Sequence, residues 1–423
     1  MENPRVNLSR KRVAALAVTA AVVLAACGGD DDDAVTTDAP AATAAPATAA
    51  PGTAAPATDA PGTDAPAPTA APVTEPAPGT AAPAPGDEGI DYAALSGTLV
   101  GAGASSQAAA MDGWKAGFLE AAPGVTVEYD PIGSGGGRET FLSGGSDFAG
   151  SDSALSEEEF AESQERCGEL GAISVPHYIS PIAVAYNLPA LEGSTLRLSP
   201  ASIAGIFANT ITTWNDPAIA ADNPDLTLPD LAINPVHRSD ESGTSKNFTD
   251  YLAKAAPDVW TYGAIEIWDD GPGGGEGADG TSGVVAAVEA GEGSIGYADA
   301  SQINALPAAA VGVADGFVEF SPEAAGRIVD SSERVSSGSE FDYAIEVNRT
   351  PDSADTYPIA LVSYHIFCLQ YEDQATADAV KGFMLWVGSE DGQAAAAATA
   401  GSAPISPDVA AAIAESINQI TVG

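Results

Sequence analysis

Basic side chains are scarce in this sequence. Fifteen Lys and Arg stand against 59 Asp and Glu in 423 residues, a formal net charge of −44. Such a balance excludes nucleic acid as a partner, because phosphate backbones are held by clustered cations. Histidine and cysteine are rarer still, at three each. No Cys/His cluster has metal-ligand spacing, so neither a metal nor a cofactor is expected. His177, His237 and His365 lie far apart, each on a strand-like run, and read as structural. Cys167 and Cys368 are read as one disulfide or, alternatively, two buried free thiols.

The N-terminal apolar run, Val13 to Ala26, is too short for a comfortable membrane span. It follows Arg5, Arg10, Lys11 and Arg12 and ends Leu24-Ala25-Ala26-Cys27. That order reads as a secretory signal over residues 1–26. The small residues before Cys27 resemble the bacterial lipobox, which implies lipidation of Cys27 and attachment to the cell membrane. Loss of residues 1–26, with four basic and one acidic side chain, takes the net charge from −44 to −47. From Ala34 to Gly86 the chain is Ala, Pro, Thr and Gly with a few acids, and no Lys, Arg or aromatic residue. It cannot bury enough apolar surface to offset its ordering entropy. Residues 27–89 therefore read as lipid anchor and disordered spacer, holding a globular body outside the cytoplasm.

The remainder repeats one rhythm: strand, Gly/Ser turn, helix. Thr98 to Val100 reads as a strand, followed by a helical stripe of Met111, Trp114, Phe118 and Leu119 that Pro123-Gly124 stops. Val125 to Tyr129 is a strand, then Ile132 to Gly137 opens a helix. Asp147 to Gly150 is a strand closing on Ser151-Asp152. Two long apolar strands, near residues 180 and 360, would carry the chain twice between two lobes. Trp114 and Trp214 read as packing residues. The Gly271 to Gly283 stretch reads as a mobile surface loop in preference to a cleft wall.

The most informative stretch is His237 to Phe248, HRSDESGTSKNF. An apolar run leads in, and Phe248, Tyr251, Leu252 and Ala255 lead out at helical spacing. Between them lie a guanidinium, hydroxyls and a helix start with unpaired N–H groups, the ingredients of an anion socket. Ser105-Ser106, Ser134 and Ser151-Asp152 occupy similar strand ends, where open α/β sheets bind ligands. GSGGG lacks the Gly-Lys-Ser/Thr pair of a nucleotide-binding loop. Taken singly, Ser242-Gly243-Thr244 is an ordinary helix cap, and Asp152 could cap a helix starting within Ser153 to Glu159.

Taken together, the motifs resemble the periplasmic phosphate-binding proteins of phosphate ABC transporters, the PstS type. They are GAGAS at 101–105, IGSGGG at 132–137, GSD at 150–152, YNLP at 186–189, TWND at 213–216 and RSDESGTS at 238–245, followed by SIGYADAS at 294–301 and YPIALVSY at 357–364. The resemblance implies an α/β, two-lobed type II solute-binding fold, each lobe a mixed sheet flanked by helices, with a cleft between. Residues 90–185 and 346–423 would form lobe I, and 186–345 lobe II. The implied phosphate ligands are Ser105, Ser106, Ser134, Asp152, Arg238, Ser242, Gly243 and Thr244, with Asp240 orienting Arg238. The sequence departs from the family at Ser106-Gln107, where Phe-Pro is frequent. The implied function is capture of inorganic phosphate, without catalysis, for a membrane permease, by a monomer. A binder of sulfate or molybdate, a non-transport phosphate sensor and a phosphate-ester hydrolase remain alternatives.

Overall fold

The computed structural model describes residues 89–314 and 316–423. The signal segment, Cys27 and the spacer up to residue 88 lie outside these residues. Eight strands form one mixed sheet: β1 (Gly97–Gly103), β2 (Val125–Asp130), β3 (Phe148–Ser151), β4 (Ala172–Tyr186), β5 (Asn234–Arg238), β6 (Glu276–Ala278), β7 (Ser294–Asp299) and β8 (Ala360–Cys368). Their spatial order is β2-β1-β3-β8-β4-β7-β5-β6. β1, β2 and β3 run parallel, as do β5, β6 and β7. The long β4 lies between these sets and is buried over all 15 residues. It pairs antiparallel with β8 up to Pro181 and with β7 from Ile182 onward. That change of partner marks the passage between lobes, and the Ile182 amide bonds the Ile359 carbonyl beside it. The two-lobed expectation holds. A three-stranded sheet of Arg197–Leu198, Ala310–Val313 and Gly316–Val318 completes the second lobe.

Five helices position the site: α1 (Ala108–Ala121), α2 (Ser134–Leu142), α3 (Glu157–Cys167), α4 (Gly243–Ala255) and α5 (Gly280–Ala290). α1 buries Met111, Trp114 and Phe118, three and then four residues apart on one face, and stops before Pro123-Gly124. Leu119 was expected on the same stripe but is 53 % exposed, since one residue past Phe118 is a 100° turn away from the core. α3 begins with a full capping box between Ser156 and Glu159. Ser156 takes that cap, so the Asp152 side chain is not needed there.

Trp114, Phe118, Phe148, Phe383 and Trp386 build the first lobe's aromatic core, and Phe207, Phe248, Trp268 and Tyr297 the second's. Trp214 is also fully buried. Cys167 and Cys368 form a disulfide that fastens the end of α3 to the end of β8. The helix Pro322–Asp330 packs on β4 and β8, and the Tyr343 amide bonds the Ser174 carbonyl. Among the described residues, no helix is long and apolar enough to cross a membrane.

Candidate functional site

Parallel strands place their C-terminal ends on one side of a sheet. In the first lobe those ends carry Ser105 and Ser106 after β1, Ser134 after β2 and Asp152 after β3. In the second they carry Arg238 at the end of β5, Gly280 and Thr281 after β6, and Ser301 and Gln302 after β7. The two sets meet. Ser105, Ser106, Ser134, Asp152, Arg238, Ser242 and Thr244 are all buried.

Asp152 is the point of convergence. Its Oδ1 accepts from the Ser106 hydroxyl at 2.7 Å and the Ser363 hydroxyl at 2.6 Å. Its Oδ2 accepts from the Thr244 hydroxyl, across the cleft, at 2.8 Å. The Asp152 amide donates to Ser134 Oγ at 3.1 Å, which leaves the Ser134 proton free to point elsewhere. The carbonyl accepts from Asn247 Nδ2 at 2.7 Å. Burial pushes the Asp152 carboxyl up from its ordinary value, while the three hydroxyls and the charge of Arg238 oppose the rise. A cavity of about 440 Å³ opens beside Asp152, walled by Lys246, Asn247, Asp250 and Arg349 among others.

Arg238 is held in a fork by Asp240. Its Nε donates to Oδ1 at 2.6 Å and its Nη2 pairs with Oδ2. Burial would raise the Asp240 carboxyl, but the hydrogen bonds and charge of Arg238 hold it below its ordinary value. The Gly280 amide adds a third donor to Asp240 at 3.1 Å. Ser242 is the N-cap of α4, accepting from the Ser245 amide at 3.1 Å. Its hydroxyl proton stays available, as do the first-turn amides of Gly243 and Thr244, which have no acceptor within their helix. Gly243 is required here. A Cβ at that position would sit 2.6 Å from Ser134 Oγ and 2.8 Å from Asp152 Cβ. Gly133, at φ +93°, turns the chain into α2 in a conformation that L side chains rarely adopt.

Sequence reading missed several participants. The end of the Gly271 to Gly283 stretch, expected as a surface loop, enters the site. The Thr281 amide donates to Ser105 Oγ at 3.1 Å, and the two hydroxyls are 3.0 Å apart. Gln302 Nε2 donates to the carbonyls of Ser105 and Ser106 at 2.9 and 3.2 Å. Ser363, on the long strand β8, reaches Asp152 because β8 lies beside β3. A serine midway along an apolar strand was the available signal. Arg138 follows GSGGG directly and is a second buried guanidinium at the cleft. His177 and His365, distant in sequence, meet in the first lobe's core with their Nδ1 atoms 2.9 Å apart. His237 stacks on Trp268 at 4.4 Å. His177 and His365 make no hydrogen bond to the site residues named above, whereas His237 Nδ1 lies 2.9 Å from the Arg238 carbonyl.

The arrangement is a dry nest of hydroxyl and amide donors around Arg238, fixed by Asp240, and the Asp152 carboxylate, drawn from both lobes. Residues 78–391 match the PBP superfamily domain. Phosphate-binding protein PstS 3 of Mycobacterium tuberculosis is 38 % identical over 291 residues, covering 68 % of this chain and 77 % of that protein. PstS 3 of Mycobacterium leprae is 36 % identical over 292 residues, covering 68 % and 78 %. Among solved structures, a high-affinity periplasmic phosphate-binding protein bound with phosphate superposes with a TM-score of 0.62 at 24 % identity. It covers 75 % of this chain and 93 % of its own, a likeness of fold. The chain belongs to the PstS family of phosphate-binding proteins.

Proposed function

We propose that this protein captures inorganic phosphate outside the cytoplasm and delivers it to the membrane permease of an ABC importer. One observation carries the reading. Asp152 from the first lobe and the Arg238 to Thr244 turn from the second converge in one buried cluster. Amide and hydroxyl donors with Arg238 suit an oxyanion. A carboxylate in the same cluster suits an oxyanion that still carries a proton. An ionised carboxylate only accepts hydrogen bonds. Phosphate retains a donor OH near neutral pH and sulfate has none, so Asp152 would meet sulfate as an unpaired, repelling charge. A site built around a substrate OH rejects the analogue lacking it by roughly 10⁴–10⁵.

Ser134, Arg238, Ser242, Gly243 and Thr244 would donate to the anion, with Asp240 restraining Arg238. Ser105 and Ser106 contribute mainly through their backbone, since their hydroxyls already serve Thr281 and Asp152. In place of an aromatic wall, Ser106 gives Asp152 a further hydrogen bond. Local N–H dipoles and one desolvated Arg outweigh the screened surface charge of an acidic chain. Residues 90–185 and 346–423 form lobe I and 186–345 lobe II, with 322–345 lying across onto the first lobe's strands. Cys27 carries the lipid, 27–89 serve as tether, and the protein works as a monomer without chemistry on its ligand. The test is a phosphate titration beside an assay with a chromogenic phosphate ester. Stoichiometric binding without turnover is expected; release of the chromophore with a serine-dependent rate would replace this reading by a hydrolase.

A further inference from the structure

We propose that Arg138 and Glu266 form a latch between the lobes, a protein-to-protein ion pair that stabilises the closed cleft and slows anion release. This rests on the reading of lobe closure over phosphate. Arg138 lies on α2, four residues past Ser134, and is 4 % exposed. Within its own lobe its Nε bonds Glu159 Oε1 at 2.7 Å and its Nη1 bonds Ser151 Oγ at 3.1 Å. Its Nη2 reaches across the cleft to Glu266 Oε2 at 2.6 Å and to Glu241 Oε1 at 3.4 Å. Glu266 takes a second bond from the first lobe, the Ser153 hydroxyl at 2.6 Å, and pairs with Lys246 of its own lobe at 3.1 Å. The Gly135 amide adds a bond to the Glu241 carbonyl at 3.1 Å.

The charges are nearly dry where they meet, so solvent and salt screen them little. Burial would raise the Glu266 carboxyl. Arg138, then Lys246 and the hydroxyl of Ser153, more than reverse this and bring it down to about 2. When the lobes part, Arg138 keeps Glu159 and Glu266 keeps Lys246, and both faces hydrate. Only the closed state gains the pair, so the latch shifts the closing equilibrium. No member of it is among the proposed anion ligands. It therefore acts alike on every anion the site accepts. It raises residence time and leaves the preference for phosphate over sulfate unchanged.

The experiment uses the full chain with Glu266→Gln, which keeps the shape and removes the charge. Three readouts follow: phosphate affinity and release rate by titration and stopped flow, sulfate competition, and the radius of gyration without phosphate. The variant should release phosphate about 10-fold faster or more, consistent with truncation of a buried charge pair acting on the off-rate. Its on-rate and its phosphate-to-sulfate ratio should stay unchanged, and its phosphate-free radius of gyration should exceed the wild type's. Ser153→Ala, which removes the other cleft-crossing bond to Glu266, should speed release in the same direction by roughly 3-fold. Arg327→Gln, at an exposed pair with Asp355, should change nothing. Unchanged release and scattering in both latch variants would overturn the proposal, as would a changed anion ratio. If the wild type binds no phosphate, the functional reading fails, and the scattering comparison still decides the latch.

Discussion

Replacing Asp152 by Asn should convert a phosphate-selective site into one that tolerates sulfate. A carboxylate offers about four acceptor positions. Ser106 and Ser363 occupy two on Oδ1, and Thr244 one on Oδ2. One remains for a ligand OH. Asn keeps Oδ1 with both of its bonds, and its new NH₂ can donate to Thr244 Oγ1 once that hydroxyl rotates. The change is thus confined to one charge and one acceptor position, with the packing retained. A hydrogen bond to a charged group is worth about 1.5–3 kcal/mol, so phosphate affinity should fall about 10- to 150-fold. Sulfate should bind more tightly, because a buried repelling charge is gone. The affinity ratio should therefore drop by at least about 100-fold from the roughly 10⁴–10⁵ available to a site of this type. Calorimetric titration with phosphate, then with sulfate in competition, measures the ratio. A variant that loses phosphate yet rejects sulfate as strongly as the wild type would deny Asp152 the role of anion filter and make it a structural anchor.

Two further outcomes follow. Gly243→Ala places a Cβ against Ser134 and Asp152 and should weaken phosphate binding by about 10-fold or more, with the melting temperature nearly unchanged because the clash arises only on closure; titration and calorimetric melting together check this. His365 is fully buried, and burial takes its imidazole down to about 3, so it folds neutral, and below about 6.5 the unfolded chain binds a proton the folded one refuses. The stabilising contribution of this neutral burial is complete above that pH and lost as pH falls, so the urea-unfolding advantage of the wild type over His365→Gln should shrink by about 1.4 kcal/mol per pH unit between pH 6.5 and 4.5, and a constant gap would contradict it.

What could be read from the sequence was local. Strand, Gly/Ser turn and helix start lie within a few residues of each other, so Ser105, Ser134, Asp152 and the Arg238 to Thr244 turn could be picked out by their neighbours. The two crossing strands were visible as long apolar runs, and β4 and β8 are buried throughout. What could not be read was set by which strands lie side by side. Ser363 reaches Asp152 across 211 residues and Arg138 reaches Glu266 across 128, and no local pattern announces either pairing. The same holds for His177 and His365, which meet because β4 and β8 are neighbours. Thr281 was lost for a different reason: a Gly-rich run looks mobile, but here its glycines let the chain enter the cleft and start α5 beside Ser105.

A crystal structure of the full chain grown with phosphate, set against one grown with sulfate, decides whether Asp152 and the Arg238 to Thr244 turn enclose phosphate together. A single tetrahedral anion should lie between the lobes. It should lie within hydrogen-bonding distance of Ser134, Arg238, Gly243 and Thr244, with one oxygen facing Asp152, and the site should hold no sulfate in the second crystal. An anion bound away from Asp152, or sulfate seated in the same place with Asp152 turned aside, would contradict it.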